Sequence, residues 1–242
     1  MAHDHDPDFS PAGIWAIEFA RCHPDSQVIG SDPSLIQPDV SASVPKVSFI
    51  REDIEETWVH DTPFDFVHMR LMFTCYFSHR NVIAQVFDHL NPGGWIEYQD
   101  MGFNLDSDDD SHRGTALSYL AQAGAAAKGR DFEVSRKFKD YFAEAGFVDI
   151  VEVKYKGIGS GWPTKEPERS LGRYMSVSSL EVVKAVSGKL LGEGLGLPQD
   201  IVQPIVAQAR KDVVDPNVHF YWPGYVVYGR KPFSYETTAI PD

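Results

Sequence analysis

Residues able to bind ligands or move protons follow four short apolar runs of this sequence. They form the segments Ser31-Asp32-Pro33, Glu52-Asp53-Ile54, His68-Met69-Arg70 and Glu97 to Asp100. In open parallel sheets, ligands bind outside the carboxyl ends of the strands, so chemistry is expected at these segments. His68 can accept a proton near neutral pH, and a histidine with a structural role fits the sequence equally well.

Two other clusters of ionisable residues give weaker signals. The acidic residues of 106–110, with His112, offer the carboxylates that hard cations take. The segment lacks the glycine and the distal glutamate of an EF-hand loop, so a solvated loop is favoured and no metal site is predicted. His3 and His5 are assigned to a flexible tail.

The elements that must position these residues alternate between helix and strand up to about residue 100. Helices are predicted over 13–20 and 82–90, and strands over 27–30, 47–50, 64–68 and 95–98. This alternation indicates an α/β fold with a mainly parallel, Rossmann-like sheet. Later helices are predicted over 115–127, 135–145, 171–191 and 198–212, and antiparallel strands over 148–156 and 219–228. Pro223-Gly224 should mark a bulge or a sheet edge.

Composition excludes several classes of protein. The 242 residues carry a net charge of −13, which disfavours binding to nucleic acids or to anionic membrane surfaces. Cys22 and Cys75 are too few for a disulfide framework and are predicted to be buried thiols. No apolar run is long enough for a membrane helix, and the N-terminus lacks the apolar core of a signal peptide. A cytoplasmic protein is expected.

An ordered set of motifs resembles a known family. The motifs are GIWAIEFA, VIGSDPSLIQP, EDIEETW, FDFVHMRLM, NPGGWIEYQD, GRDFEVSRKFKDYFAEAGF and YVVYGRKPF. Together they resemble the fungal class I S-adenosylmethionine-dependent methyltransferases of secondary metabolism, the LaeA-like group. The resemblance implies a methyltransferase-like domain over 13–233, between an acidic tail at 1–12 and a loose tail at 234–242.

Roles for individual residues follow from this resemblance. Asp32 corresponds to the acid that accepts hydrogen bonds from the cofactor ribose, and an Asx turn before Pro33 is the alternative. Asp53 and Ile54 correspond to residues that meet adenine, or belong to a solvated acidic loop. His68 would be the catalytic base, and Met69 and Arg70 would contact substrate.

The helical insertion at about 160–212 is expected on the substrate side, which places Trp162 and Arg173 near the substrate. Other aromatic residues of the C-terminal half either line an apolar pocket or belong to the core, and the core is favoured. They are Tyr174, Phe220, Tyr221, Trp222 and Tyr225.

The sequence departs from the family where the first strand and its glycine-rich turn should precede Ile14. By position, Gly13 alone corresponds to a glycine of that turn, while Phe9 and Pro11 occupy the positions of two others. Proline removes an N–H donor and fixes φ. The first strand and the family's N-terminal extension are therefore expected to be missing, and the exposed sheet edge could support a homo- or hetero-oligomer.

The predicted function is methyl transfer from S-adenosylmethionine to a small-molecule secondary metabolite. The altered glycine-rich turn leaves two alternatives open. One is a degenerate fold that acts as a cofactor-independent cyclase or isomerase, and the other is a non-catalytic regulatory subunit.

Overall fold

The computed structural model describes residues 13–34, 36–40, 43–44, 46–73, 75–127 and 131–237. Contacts between residues divide the chain into two compact units, the first ending at Val59 and the second starting at His60. The predicted domain over 13–233 contains residues of both units. The expected absence of a first strand concerns residues 1–12, which lie outside the described part.

The described residues of the first unit form one helix and a pair of parallel strands. Its elements are α1 (Ile14–Cys22), β1 (Val28–Asp32) and β2 (Val47–Arg51), with Asp32 opposite Arg51 in the strand register. A nine-residue helix is marginal by itself, so α1 depends on its buried face. Ile17 is fully buried, with Ala16 and Ala20 beside it, against valines of the strands and of the loop between them.

The second unit contains a four-stranded mixed sheet and helices. Its strands are β3 (Phe64–Arg70), β4 (Leu90–Met101), β5 (Val148–Ile158) and β6 (Tyr221–Arg230). The strand order is β3-β4-β6-β5, in which β3 and β4 are parallel while β6 runs antiparallel to both of its neighbours. The α/β prediction and the antiparallel closure by the two late strands are confirmed. The edge predicted at Pro223-Gly224 is wrong, because β6 lies between β4 and β5 and its register is regular there.

The helices of the second unit pack around its core. They are α2 (His79–His89), α3 (Ala116–Ala127), α4 (Phe138–Ala145), α5 (Glu168–Ser187), α6 (Gln199–Val214) and α7 (Ser234–Thr237). One core cluster joins α3, α5 and α6 to Phe103, Phe220 and Trp222. Within the described ranges, no helix combines the length and apolar character needed to cross a membrane.

Two further details differ from expectation. Cys22 and Cys75 are both exposed, because one ends α1 and the other lies in the turn between β3 and α2. The sequence predicted a loose tail from residue 234, but residues Ser234–Thr237 form α7 and contact the rest of the unit. Glu236 on α7 accepts hydrogen bonds from Arg230 at 2.8 and 3.1 Å, and the ring of Phe233 packs against Gly93.

Candidate functional site

Asp32 ends β1 with one carboxylate oxygen engaged and the other available. Its Oδ1 accepts hydrogen bonds from the backbone N–H of Ser34 at 2.8 Å and from the Ser34 hydroxyl at 2.7 Å. This is the Asx turn that the sequence offered as one interpretation. Among the residues that the structure describes, none donates to Oδ2. That half-exposed oxygen can therefore accept a hydrogen bond from a ligand hydroxyl.

The loop after β2 is ordered by its own hydrogen bonds. Asp53 Oδ1 accepts from the backbone N–H of Glu55 at 3.0 Å, and the carbonyl of Ile54 accepts from the indole N–H of Trp58 at 3.0 Å. The Asp53 side chain is exposed and that of Ile54 is half-buried. This part of the acidic loop thus has a defined conformation, with a carboxylate and an apolar side chain beside each other.

Gly13 precedes α1 and must be glycine for reasons internal to the chain. Its φ is +77°, a region that side chains disfavour. A Cβ atom here would lie 2.6 Å from the ring of Phe49, and a Cβ at Gly30 would meet the same ring at the same distance. The packing of Phe49 explains both glycines, so Gly13 by itself does not indicate a cofactor.

In the second unit, His68 on β3 lies opposite Glu97 on β4 in the parallel register. The Nδ1 of His68 is 3.1 Å from Oε1 of Glu97, and the histidine side chain is only 6% exposed. Glu97 accepts from the Nδ1–H tautomer, which leaves the lone pair on Nε2. Gln99 donates to the same Glu97 oxygen at 2.8 Å and helps to hold it in place.

Burial lowers the pKa of His68, and the Glu97 carboxylate opposes this effect without reversing it. Removal from water disfavours the imidazolium ion, whereas a nearby negative charge favours it. The net downward direction keeps the imidazole neutral near pH 7. His68 is therefore held in the protonation state that a general base requires.

The other two residues predicted after His68 lie in different environments. Met69 is 4% exposed and belongs to the core, whereas Arg70 ends β3 and is exposed. Because side chains alternate along a strand, Arg70 shares the His68 face and Met69 points to the opposite one. Arg70 is thus the better placed of the two to meet a ligand beside His68.

Asp100 ends the segment Glu97 to Asp100, where chemistry was predicted without a specific role for this residue, and it is a buried carboxylate near the end of β4. Its Oδ2 accepts from the backbone N–H of Met72 at 2.9 Å, and its Oδ1 from that of Met101 at 2.8 Å. These bonds fix the turn after β3, where Leu71 has a φ of +57°. Burial raises the pKa of Asp100 to about 7, although the backbone N–H donors oppose the rise.

A second buried pair joins Tyr98 on β4 to His79 on α2. The Tyr98 hydroxyl is 2.7 Å from His79 Nδ1, and its ring stacks on Phe138 with centroids 4.1 Å apart. Burial raises the pKa of Tyr98 well above its ordinary range, so the phenol stays protonated. The sequence signal for Tyr98 and Asp100 is the alternation in WIEYQD, which places both on one face of the strand.

The face of the sheet that carries Glu97 also has a shallow depression with a cavity volume of about 290 Å³. The rings of Trp95 and Tyr228 lie on neighbouring strands with centroids 6.2 Å apart. The depression is lined by Asp65, Phe66, Trp95, Ile96, Glu97 and Tyr228. Glu97 is therefore shared between this depression and the pair with His68.

The residues predicted in the helical insertion lie elsewhere in the second unit. The indole N–H of Trp162 donates to the carbonyl of Phe220 at 2.9 Å, and its ring lies 5.0 Å from that of His219. Arg173 is an exposed residue of α5. The core interpretation of the C-terminal aromatics holds for Phe220, Trp222 and Tyr225, which are all buried, whereas Tyr174 is exposed and Tyr221 half-buried.

The acidic segment 106–110 is tied to basic side chains. Asp109 Oδ2 is 2.6 Å from His219 Nδ1, and Lys156 donates to Asp108 at 2.6 Å. Within the described residues, no group of three or more histidine, cysteine or acidic side chains is placed to hold a metal ion.

A comparison with protein families matches residues 11–152 to a methyltransferase domain. This is more than half of the chain. The chain belongs to the methyltransferase family. A probable methyltransferase of Emericella nidulans, tdiE, is 30% identical in an alignment of 239 residues that covers 94% of this chain and 72% of tdiE. The secondary metabolism regulator laeA of Monascus pilosus is 29% identical, over 92% of this chain and 62% of laeA.

The fold of this methyltransferase-family chain is also found in solved structures. Phosphoethanolamine N-methyltransferase 2 of Haemonchus contortus, solved with S-adenosyl-L-methionine, aligns with a TM-score of 0.53 and 14% identity. The alignment covers 89% of this chain and 45% of the other. The predicted LaeA-like family, whose methyl donor is S-adenosylmethionine, and the predicted α/β fold are thereby confirmed.

Proposed function

We propose that this chain transfers a methyl group from S-adenosylmethionine to a small-molecule secondary metabolite, with His68 as the proton acceptor. The observation that carries the proposal is the His68–Glu97 pair, in which the histidine side chain is largely buried, inside the segment that matches the methyltransferase domain. A neutral, oriented imidazole is what a general base needs near neutral pH.

The first unit offers residues that fit the nucleoside of the cofactor. Asp32 Oδ2 can accept a hydrogen bond from a ribose hydroxyl, since the described residues leave it without a donor. Asp53 and Ile54 are proposed to meet the adenine amino group and ring. When bound, S-adenosylmethionine supplies an electrophilic methyl group on a sulfonium ion.

In the second unit, Glu97 keeps the proton of His68 on Nδ1, and Nε2 is then the nitrogen that takes a proton from the acceptor. Arg70, Trp162 and Arg173 remain proposed substrate contacts, whereas the buried Met69, which points to the opposite face of the sheet, is not proposed as one. A cytoplasmic location and association through a sheet edge also remain proposals.

The experiment is calorimetric titration of the whole chain with S-adenosylmethionine. Wild type should bind with micromolar affinity, and Asp32→Ala should weaken binding roughly 10- to 100-fold, the range for a lost hydrogen bond to a charged group. Asp25→Ala, which removes an exposed carboxylate of the same unit, is the matched control. Absence of binding, or equal affinities in all three proteins, would refute the proposal.

Turnover is tested with extracts of candidate metabolites and donor labelled in its methyl group. His68→Asn should lower kcat while donor affinity stays unchanged. Conversion of a metabolite in the absence of donor would instead indicate a cyclase or isomerase, and would contradict methyl transfer.

A further inference from the structure

The aromatic depression beside Glu97 combines flat apolar walls with negative charge. We propose that it binds a compact aromatic amine in its cationic form. This inference goes beyond the proposed function and does not depend on it, because it concerns binding alone. The binding itself is argued from the walls, charge and size of the depression.

The walls come from three neighbouring strands that present aromatic rings on one face. Phe66 of β3 lies opposite Trp95 of β4, and Tyr228 of β6 lies opposite Glu97 of β4. Phe66 is 38% exposed and Trp95 is 37% exposed, so both rings offer surface to a ligand. Aromatic rings attract cations through their faces and stack with flat ligands.

The charge of the depression selects the sign of the ligand. Glu97 contributes a carboxylate on this face, while Asp65 Oδ1 accepts from the side-chain amide of Asn91 at 2.7 Å, and the six lining residues include no lysine or arginine. Glu97 Oε1 receives His68 and Gln99, while none of the described residues donates to Oε2. An ammonium group can donate to that oxygen, whereas a carboxylate or phosphate would be repelled.

The size of the depression suits a ligand of about one or two rings. A cavity volume of about 290 Å³ lies at the lower end of the range for small-molecule sites. A two-ring amine fits such a depression, whereas a larger polycyclic compound would extend beyond its aromatic walls.

The test compares three ligands that share an indole ring and differ in charge. Tryptamine is a cation at neutral pH, 3-methylindole is neutral and indole-3-acetate is an anion. Calorimetric titration of the whole chain, with no methyl donor present, should show tryptamine binding roughly tenfold or more tightly than 3-methylindole. Indole-3-acetate should show no binding. Equal binding of the anion, or no binding of tryptamine at millimolar concentration, would overturn the inference.

Variants separate charge from ring contact. Glu97→Gln should weaken the binding of tryptamine about tenfold and leave the affinity for 3-methylindole unchanged. Trp95→Ala should weaken the binding of both ligands. Trp95→Phe keeps an aromatic ring and should retain most of the affinity, which would show that the loss in Trp95→Ala does not come from a folding defect. Tyr174→Ala is the matched control, because this aromatic residue on α5 is 79% exposed. A loss in that control equal to the loss in Trp95→Ala would contradict the assignment.

The amine site and the methyl transfer can be refuted independently of each other. If tryptamine binds but S-adenosylmethionine does not, the amine site stands and methyl transfer is refuted. If the donor binds and tryptamine does not, the amine site is refuted and methyl transfer stands.

Discussion

Replacing Asp100 by asparagine should remove a pH dependence of folding stability that the burial of this carboxyl group creates. Burial raises the pKa of Asp100 from 3.8 to about 7 in the folded chain. Between these two values the folded chain holds a proton that the unfolded chain has released. The free energy of unfolding therefore falls as pH rises through this interval, and levels off above about pH 7.

The size of this effect follows from the change in pKa. One pKa unit corresponds to about 1.4 kcal/mol, so a rise from 3.8 to about 7 amounts to roughly 4 kcal/mol over the whole interval. The isoelectric point of about 5.0 makes solutions near that pH prone to precipitation. Between about pH 5.5 and pH 8.5, roughly 2 kcal/mol of the change remains measurable.

The assay is guanidinium chloride unfolding followed by circular dichroism at several pH values. Asp100→Asn keeps the shape of the side chain but cannot titrate, so the stability of wild type relative to this variant should decline by roughly 2 kcal/mol across that range. Asp88→Asn, which removes an exposed carboxylate of α2, should show no such trend. A constant difference between wild type and Asp100→Asn would refute the reasoning.

Two further substitutions test individual contacts. Gly146→Ala should destabilise the chain by about 1–2 kcal/mol, because Gly146 has a φ of +99° and a Cβ there would lie 3.2 Å from the ring of a phenylalanine on α2. Gly114→Ala, with a φ of +73° and no neighbour within 4 Å, should destabilise the chain less. Both variants are compared by thermal unfolding, and an equal loss of stability in the two would contradict the steric argument. Tyr98→Phe removes the buried 2.7 Å bond to His79 and should cost about 1–3 kcal/mol by denaturant unfolding. Tyr155→Phe, at an exposed position, is the control, and a matching loss there would refute this.

The individual helices and strands could be predicted from the sequence because apolar periodicity and helix-ending glycines depend on local structure alone. The prediction for 135–145 matches the turn and helix over 134–145, and Gly146 ends that helix in the left-handed region. The pairing of strand segments that are distant in the sequence could not be predicted. The segment Asn91 to Gly94 has the composition of a turn, yet it belongs to β4, because Gly93 and Gly94 exchange backbone hydrogen bonds with Lys231. A partner 137 or more residues away overrides the local signal.

The candidate site could be predicted only in part, because it also depends on pairing between strands. The importance of His68 followed from its position after an apolar run, but its partner depends on the register between β3 and β4. Shifting that register by one residue would place Tyr98, rather than Glu97, opposite His68. The identity of the residue that orients the histidine is therefore a property of the folded sheet.

Glu97 links the two proposals because one side chain serves two different groups. Its Oε1 holds Nδ1 of His68, while Oε2 lies on the side chain that lines the aromatic depression. A cation bound at Oε2 would offset part of the negative charge that opposes the downward shift in the pKa of His68. Ligand charge and the protonation state of His68 are thus coupled through a single carboxylate, because a bound ammonium group disfavours the imidazolium ion.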